Sequence, residues 1–377
     1  MAKRTLDAFF KPTPAADKRA KTEPIEDGRH PSEHSTYPFP ISALPSHIEV
    51  ALAHGTPARD ARIINNQPDL DLQYFQPYIA RPTANELFKF LRRELPFYRV
   101  QYQIKRAGVE TEINTPRYTT VFGVDETATF IPSSPDPDTQ DGSGSPEKSA
   151  SRLTLVDAKT KTAVSASKYQ YTPRPIPTCL DHLRHRVEAA TGTTYNFCLV
   201  NYYASGEDSI AFHSDDERFL GSSPTIASLS LGGEREFQMK HKPVPDQLHT
   251  EKPQLQTVLD GNINGGSAKE SNDINPSSRP RPNLDRKPLP HTHGTPIKMG
   301  LASGDMVIMR GPTQAHWLHS IPKRKGKAGD AVRGRINITF RRAVIPAGTN
   351  NYYHYNVGSG GVWRWDEVKR EMVLSKG

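Results

Sequence analysis

Asp208-Ser-Ile-Ala-Phe-His-Ser-Asp-Asp-Glu217 and His316-Trp-Leu-His-Ser-Ile-Pro322, with Arg335-Ile-Asn-Ile-Thr-Phe-Arg341 downstream, decide how this chain is read. His213 and Asp215 stand two residues apart, so on a strand or the loop continuing it both side chains project from one face. That suits two ligands of one metal. His319 from distant sequence would complete two imidazoles and one carboxylate on one side of an ion, the facial triad of non-haem Fe(II) oxygenases, with positions left open for a co-substrate and oxygen. His-x-Asp alone is a weak signal, because a chain with 14 histidines can contain one by accident.

The strand downstream strengthens it. Arg335, Asn337, Thr339 and Arg341 alternate with Ile336, Ile338 and Phe340, so one face is apolar and the other is a row of hydrogen-bonding side chains. Two guanidiniums on one face must reach solvent or meet an anion, and a planar fork matches a carboxylate bidentately. The anion expected here is 2-oxoglutarate. Which arginine takes which end of it is open at this level.

With these segments in hand, the chain resembles the AlkB family of Fe(II)/2-oxoglutarate dioxygenases over roughly residues 70 to 343, and most specifically the eukaryotic nuclear branch that repairs alkylated double-stranded DNA. The segments carrying that resemblance are Asn196-Phe-Cys-Leu-Val-Asn-Tyr-Tyr203, Phe212-His-Ser-Asp-Asp-Glu217, Ser223-Pro-Thr-Ile-Ala-Ser-Leu-Ser-Leu-Gly232, His316-Trp-Leu-His-Ser320 and Arg335 to Arg341. The resemblance implies a double-stranded β-helix, or jelly-roll, with Fe(II) on His213, Asp215 and His319. It implies 2-oxoglutarate on Arg335, Asn337 and Arg341, with Asn201 and Tyr203 assisting. Oxygen and the co-substrate would then hydroxylate a methyl group on a base nitrogen, giving succinate, CO2 and formaldehyde. The implied substrates are 1-methyladenine and 3-methylcytosine in DNA. Those bases are cationic, so Asp216 and Glu217 are expected to favour them electrostatically. An RNA demethylase, or a protein hydroxylase or demethylase of the same oxygenase class, is the alternative.

Composition bounds the rest. A chain of 377 residues with 33 prolines, 26 glycines and 35% hydrophobic residues points to one catalytic domain with tails and inserts rather than two packed domains. Cys179 and Cys198 are too few for a disulfide scaffold, which suggests a reducing, intracellular setting. No apolar run reaches the length of a membrane span and the N-terminus lacks a secretory core, so a soluble monomer is expected. The net charge of +8 favours a polyanionic partner.

Residues 1 to 65 read as a disordered tail. Within it, Leu6, Phe9 and Phe10 share one side of a helical turn and resemble the motif that docks on the PCNA sliding clamp, with Lys3 where that motif usually has Gln. Lys18-Arg-Ala-Lys21 fits a nuclear import signal, so the nucleus is the expected location. The domain is expected over 66–346. Leu87, Phe88 and Leu91 mark a first helix, and Pro177 to Thr191, closed by Gly192, a second. Arg99 to Arg106 and Val109 to Ile113 read as a hairpin. In the resembled branch it carries a wedge that fills the gap left by a flipped base, here Tyr102 or Gln103. Insertions are expected at about 131–166 and 243–296, where Ser, Pro, Gly and Asn accumulate. Eight short strands from Tyr195 to Val344 make the expected fold mainly β with flanking helices. Arg117, Arg324 and Lys325 are candidates for phosphate contact. Residues 347–377 form an aromatic-rich extension, expected to be ordered but with no role assigned.

Overall fold

The computed structural model describes residues 30–106, 108–133, 153–243, 294–324 and 334–375. Strands Arg62–Ile64, Leu72–Phe75, Met306–Met309, Ile226–Gly232, Arg335–Arg341, Phe197–Tyr203, Tyr118–Gly123, Phe97–Tyr98, Val362–Asp366 and Glu371–Leu374 lie side by side, in that spatial order, in a ten-stranded major sheet. A four-stranded minor sheet is ordered Ile210–His213, Trp317–Ile321, Arg235–His241 and Ile297–Leu301. The expected mainly β architecture with flanking helices is what forms.

Alternation along the strands assigns the two faces of the major sheet. Cys198, Val200 and Tyr202, Ala227, Leu229 and Leu231, and Ile336, Ile338 and Phe340 turn one way. There they pack with Leu87 and Leu91 of helix Arg81–Glu94 and Leu180, Leu183 and Val187 of helix Thr178–Thr191. Burial of each large apolar side chain contributes roughly 1.5–3 kcal/mol, so this layer is the main source of stability. The opposite face carries Leu199, Asn201, Tyr203, Ser228, Asn337, Thr339 and Arg341, which meet Phe237, His319 and Ile321 of the minor sheet around a cavity. Registers place Asn337 opposite Asn201 and Ser230, and Arg335 opposite Tyr203 and Gly232.

Helix Thr178–Thr191 ends as expected, with Gly192 in the left-handed conformation at φ 66° and its N–H on Glu188 O. The hairpin is also present, pairing Gln101–Arg106 with Val109–Asn114 and setting Tyr102 against Ile113 and Gln103 against Glu112. The side chain of Tyr102 lies outside the described residues.

Three boundaries differ from expectation. The tail expected through residue 65 is folded from residue 30 on: Ser32 pairs with Ile41, and Ile41, Leu44, Ile48 and Leu52 are buried in the main core, the last two on helix Ser46–Gly55. Ile48 and Leu52 stand four residues apart on one face of that helix, and Leu44 precedes it at the same spacing in Pro- and His-rich surroundings. Inside the first expected insertion, Leu153–Asp157 returns to pair with Ala128–Pro132. The extension after residue 346 is continuous with the domain. Val362–Asp366 pairs with Phe97–Tyr98, and Arg92 stacks 3.5 Å from the ring centre of Trp365.

Because Ile48 is 2% exposed, Ile48→Ala should lower stability by about 3 kcal/mol. Urea denaturation should show an earlier midpoint with an unchanged slope. A tail residue would leave the midpoint in place.

Candidate metal centre and its cavity

Strand pairing brings the triad together. His213 and His319 are cross-strand partners in the minor sheet, with ring centroids 4.2 Å apart. Asp215 follows on the loop, its backbone N–H donating to Gln314 Oε1 at 2.8 Å. The ligand atoms of His213, Asp215 and His319 all lie within 4.8 Å of one another. Nε2 of His213 is 3.9 Å from Asp215 Oδ1, and Nε2 of His319 is 3.9 Å from Oδ2. Nδ1 of His213 faces Ala211 O at 2.9 Å, so its proton is used there and Nε2 keeps its lone pair for a metal. Asp69, His241 and His316 also cluster among the described residues, but none of them lines the cavity.

The electrostatics suit a cation. Burial would raise the Asp215 carboxyl, but Arg341, then His319 and His213, outweigh it and hold the group well below the usual carboxylate range. Arg341 Nη2 donates to Asp215 Oδ2 at 2.8 Å with both side chains buried. Burial, and then His213, push the His319 imidazole down to about 3, so it is neutral, the form a metal requires.

Asn337, Thr339 and Arg341 line the cavity, whereas Arg335, at the far end of the same strand, is buried and is not among the lining residues. Asn337 Nδ2 donates to Ser228 Oγ at 2.8 Å, and Arg335 Nη2 to Ser230 Oγ at 2.8 Å. Nε and Nη1 of Arg335 and of Arg341 are buried without partners among the described residues. Burial lowers Arg335 to about 10, so it stays charged near neutrality. Arg341 has Asp215 as its counter-ion, whereas Arg335 has no acidic partner among the described residues, and an unmatched buried guanidinium is costly. Arg335 lies 5.4 Å from the ring centre of Tyr203. The cavity has a water-accessible volume of about 140 Å³.

The expected substrate contacts divide. Glu217 lines the cavity; burial, and then the charge of Asp215, raise its carboxyl above the ordinary value. Asp216, expected beside it, is exposed and takes a 2.6 Å bond from Lys242 Nζ, because successive residues of an extended loop point opposite ways. Arg117 also departs from expectation: its Nε donates to Asn201 Oδ1 at 2.7 Å inside the cavity, leaving Nδ2 as the donor of Asn201. It is a wall of the site rather than a phosphate contact. Arg324 is exposed, with Nη1 donating to Glu234 O at 3.1 Å. Lys325 lies outside the described residues, as do Leu6, Phe9 and Phe10.

Three residues without an assigned role in the sequence stand in the site. Gln314 holds the backbone of Asp215, and Tyr352 and Asn356 line the cavity from the C-terminal extension. Run-on aromatics after residue 350 were the available signal, but nothing local in them names a partner.

A pair of sheets with a two-histidine, one-carboxylate cluster on the inner face, beside a buried Arg335 with no acidic partner among the described residues, is the arrangement of a mononuclear iron oxygenase with an anionic co-substrate. The model of the 2OG-Fe(II) oxygenase superfamily matches residues 71–341, and the chain belongs to that superfamily. Oxygenases of that superfamily use Fe(II) and 2-oxoglutarate, and His213, Asp215 and His319 are a donor set that fits such an ion. It is similar to DNA oxidative demethylase ALKBH2 of Bos taurus, 32% identical over 175 residues that make up 46% of each chain. It is similar also to alpha-ketoglutarate-dependent dioxygenase alkB homolog 3 of Rattus norvegicus, 34% identical over 42% of this chain and 39% of that one. ALKBH2 of Arabidopsis thaliana is 35% identical over 40% of this chain and 38% of its own. The match thus spans less than half the length of these curated relatives.

The neutral burial of His319 has a pH consequence. Its folded-state pKa of about 3 lies below the unfolded value of 6.5, so its contribution to stability is present above 6.5 and is lost as pH falls towards 3. Metal-free protein should therefore lose stability from this group as pH falls across that window. His319→Gln should flatten the profile, as read by chemical denaturation at a series of pH values.

Proposed function

We propose that the protein oxidatively demethylates alkylated bases in DNA, of the 1-methyladenine and 3-methylcytosine type, as a direct-reversal repair enzyme. The observation that carries this is Glu217, a carboxylate on the cavity wall two residues beyond Asp215 with one buried oxygen unpartnered among the described residues. A cationic ring or an exocyclic amino group is the complement of that oxygen. Similarity to DNA oxidative demethylases supports the choice of DNA.

Fe(II), held by His213, Asp215 and His319, would supply the dioxygen chemistry that couples decarboxylation of 2-oxoglutarate to hydroxylation of a substrate C–H bond. Arg341 keeps Asp215 ionised and oriented for that ion. Arg335, with Asn201, Tyr203 and Asn337, would bind 2-oxoglutarate, and Arg341 its other end. An N-hydroxymethyl base then releases formaldehyde and returns to its unmodified form. The ligands lie on a cavity wall, so the target base must leave the stack to reach them, which damaged pairs do at least cost. The hairpin at 101–114 would insert Tyr102 or Gln103 into the vacated position, and Arg324 and Lys325 would meet phosphates. Leu6, Phe9 and Phe10 would tether the enzyme to the PCNA sliding clamp in the nucleus.

Methylated single- and double-stranded oligonucleotides should yield formaldehyde in a reaction needing Fe(II) and 2-oxoglutarate, and Asp215→Ala should yield none. Turnover of methylated RNA or histone peptides in place of DNA would move the substrate to the corresponding class.

Arg335→Lys keeps the charge but loses the planar fork. With about 2 kcal/mol lost from a bidentate contact, the apparent constant for 2-oxoglutarate should rise roughly thirtyfold. DNA binding, followed by fluorescence anisotropy, should be unchanged.

A further inference from the structure

We infer that the C-terminal extension supplies a working part of the active site, with Tyr352 the positioning residue that aims Glu217 at the substrate base and so sets the preference for cationic over neutral lesions. This rests on the DNA demethylase function proposed above and adds to it a residue from outside the 71–341 oxygenase match.

Helix Asn350–Asn356 is pinned to the strand Tyr118–Gly123 of the major sheet. Tyr353 Oη donates to Gly123 O at 2.7 Å and Thr119 Oγ1 to Asn356 O at 2.7 Å. That docking turns Tyr352 towards the cavity. Its ring sits edge-on to Phe197 and Phe219, with centroids 5.2 and 5.5 Å away. The Arg341 guanidinium lies 5.2 Å from its centre, within cation–π range. A ring held on three sides has a fixed hydroxyl, and Tyr352 Oη donates to Glu217 Oε1 at 2.9 Å.

The consequence for Glu217 is directional. With Oε1 engaged by Tyr352, Oε2 is the oxygen left to accept from a ligand, and it is buried without a partner among the described residues. Without the tyrosine hydroxyl the carboxylate could rotate about its side-chain torsions and lose that aim. Tyr352 thus touches both Arg341, which holds the ligand Asp215, and Glu217, which faces the base. The selectivity belongs to the hydroxyl, whereas the packing belongs to the ring.

Full-length Tyr352→Phe, Glu217→Gln and the double variant separate these roles. Each should be assayed for kcat and KM by formaldehyde release from oligonucleotides carrying 3-methylcytosine, a cation, or 3-methylthymine, which is neutral. Tyr352→Phe should lower the ratio of kcat/KM values roughly fivefold in favour of the neutral base, with the 2-oxoglutarate constant unchanged. The double variant should be no less selective than Glu217→Gln alone, because the two residues act as one unit. If Glu217→Gln lowers the ratio and Tyr352→Phe leaves it unchanged, or if the two losses add, the positioning role is overturned while the demethylase reading stands. Wild-type protein inert on both oligonucleotides would remove that reading and this inference with it. Tyr352→Phe keeps the ring contacts, and an unchanged melting temperature would show that the effect is not one of folding.

Discussion

The buried contact between Arg341 and Asp215 is the interaction on which the centre depends. Removing two charges from water is expensive, and the short bond between them only partly offsets that cost. It does so here because the arginine belongs to the most central strand pairings of the major sheet and the aspartate to a loop tied down by Gln314. The pairing keeps the carboxylate ionised in a place where burial alone would favour its protonated form. It also leaves Arg341 Nε and Nη1 without partners among the described residues, so the residue that keeps Asp215 ionised has donors to spare. A site built this way is ready for a cation and an anion together, and incomplete with neither.

The two faces of the strand Arg335–Arg341 divide the protein's work. Ile336, Ile338 and Phe340 join the layer beneath the helices and provide stability, while Asn337, Thr339 and Arg341 line the cavity between the sheets. A period of two makes the division strict, since a slip of one residue would exchange the faces. Neighbouring strands repeat it: Ser228 and Ser230, set between Ala227, Leu229 and Leu231, receive the bonds from Asn337 and Arg335. The hydrogen-bonding row is thereby carried on strands, which holds its members in register with one another.

Much of this was legible along the chain. His-x-Asp spacing, the distant histidine, and the alternating strand of donors each encode geometry within two to seven residues, and a strand repeats that geometry wherever it is placed. The helix closed by Gly192 was legible for the same reason, since the left-handed residue and its capping bond are local. Asp216 and Arg117 were misplaced because residue type predicts charge but not direction. One meets Lys242 at the surface and the other Asn201 in the cavity, both through partners tens of residues away.

What the sequence by itself determined is the candidate metal cluster, the alternating strand of hydrogen-bonding side chains and the mainly β class, because each follows from local period and residue chemistry. Only the tertiary structure decided that Ile48 and Leu52 belong to the core, that Gln314 steadies Asp215, and that Tyr352 reaches Glu217 across 135 positions. Those depend on which segments dock against which. Docking is settled by the summed burial of whole faces, and no short stretch of residues carries that sum.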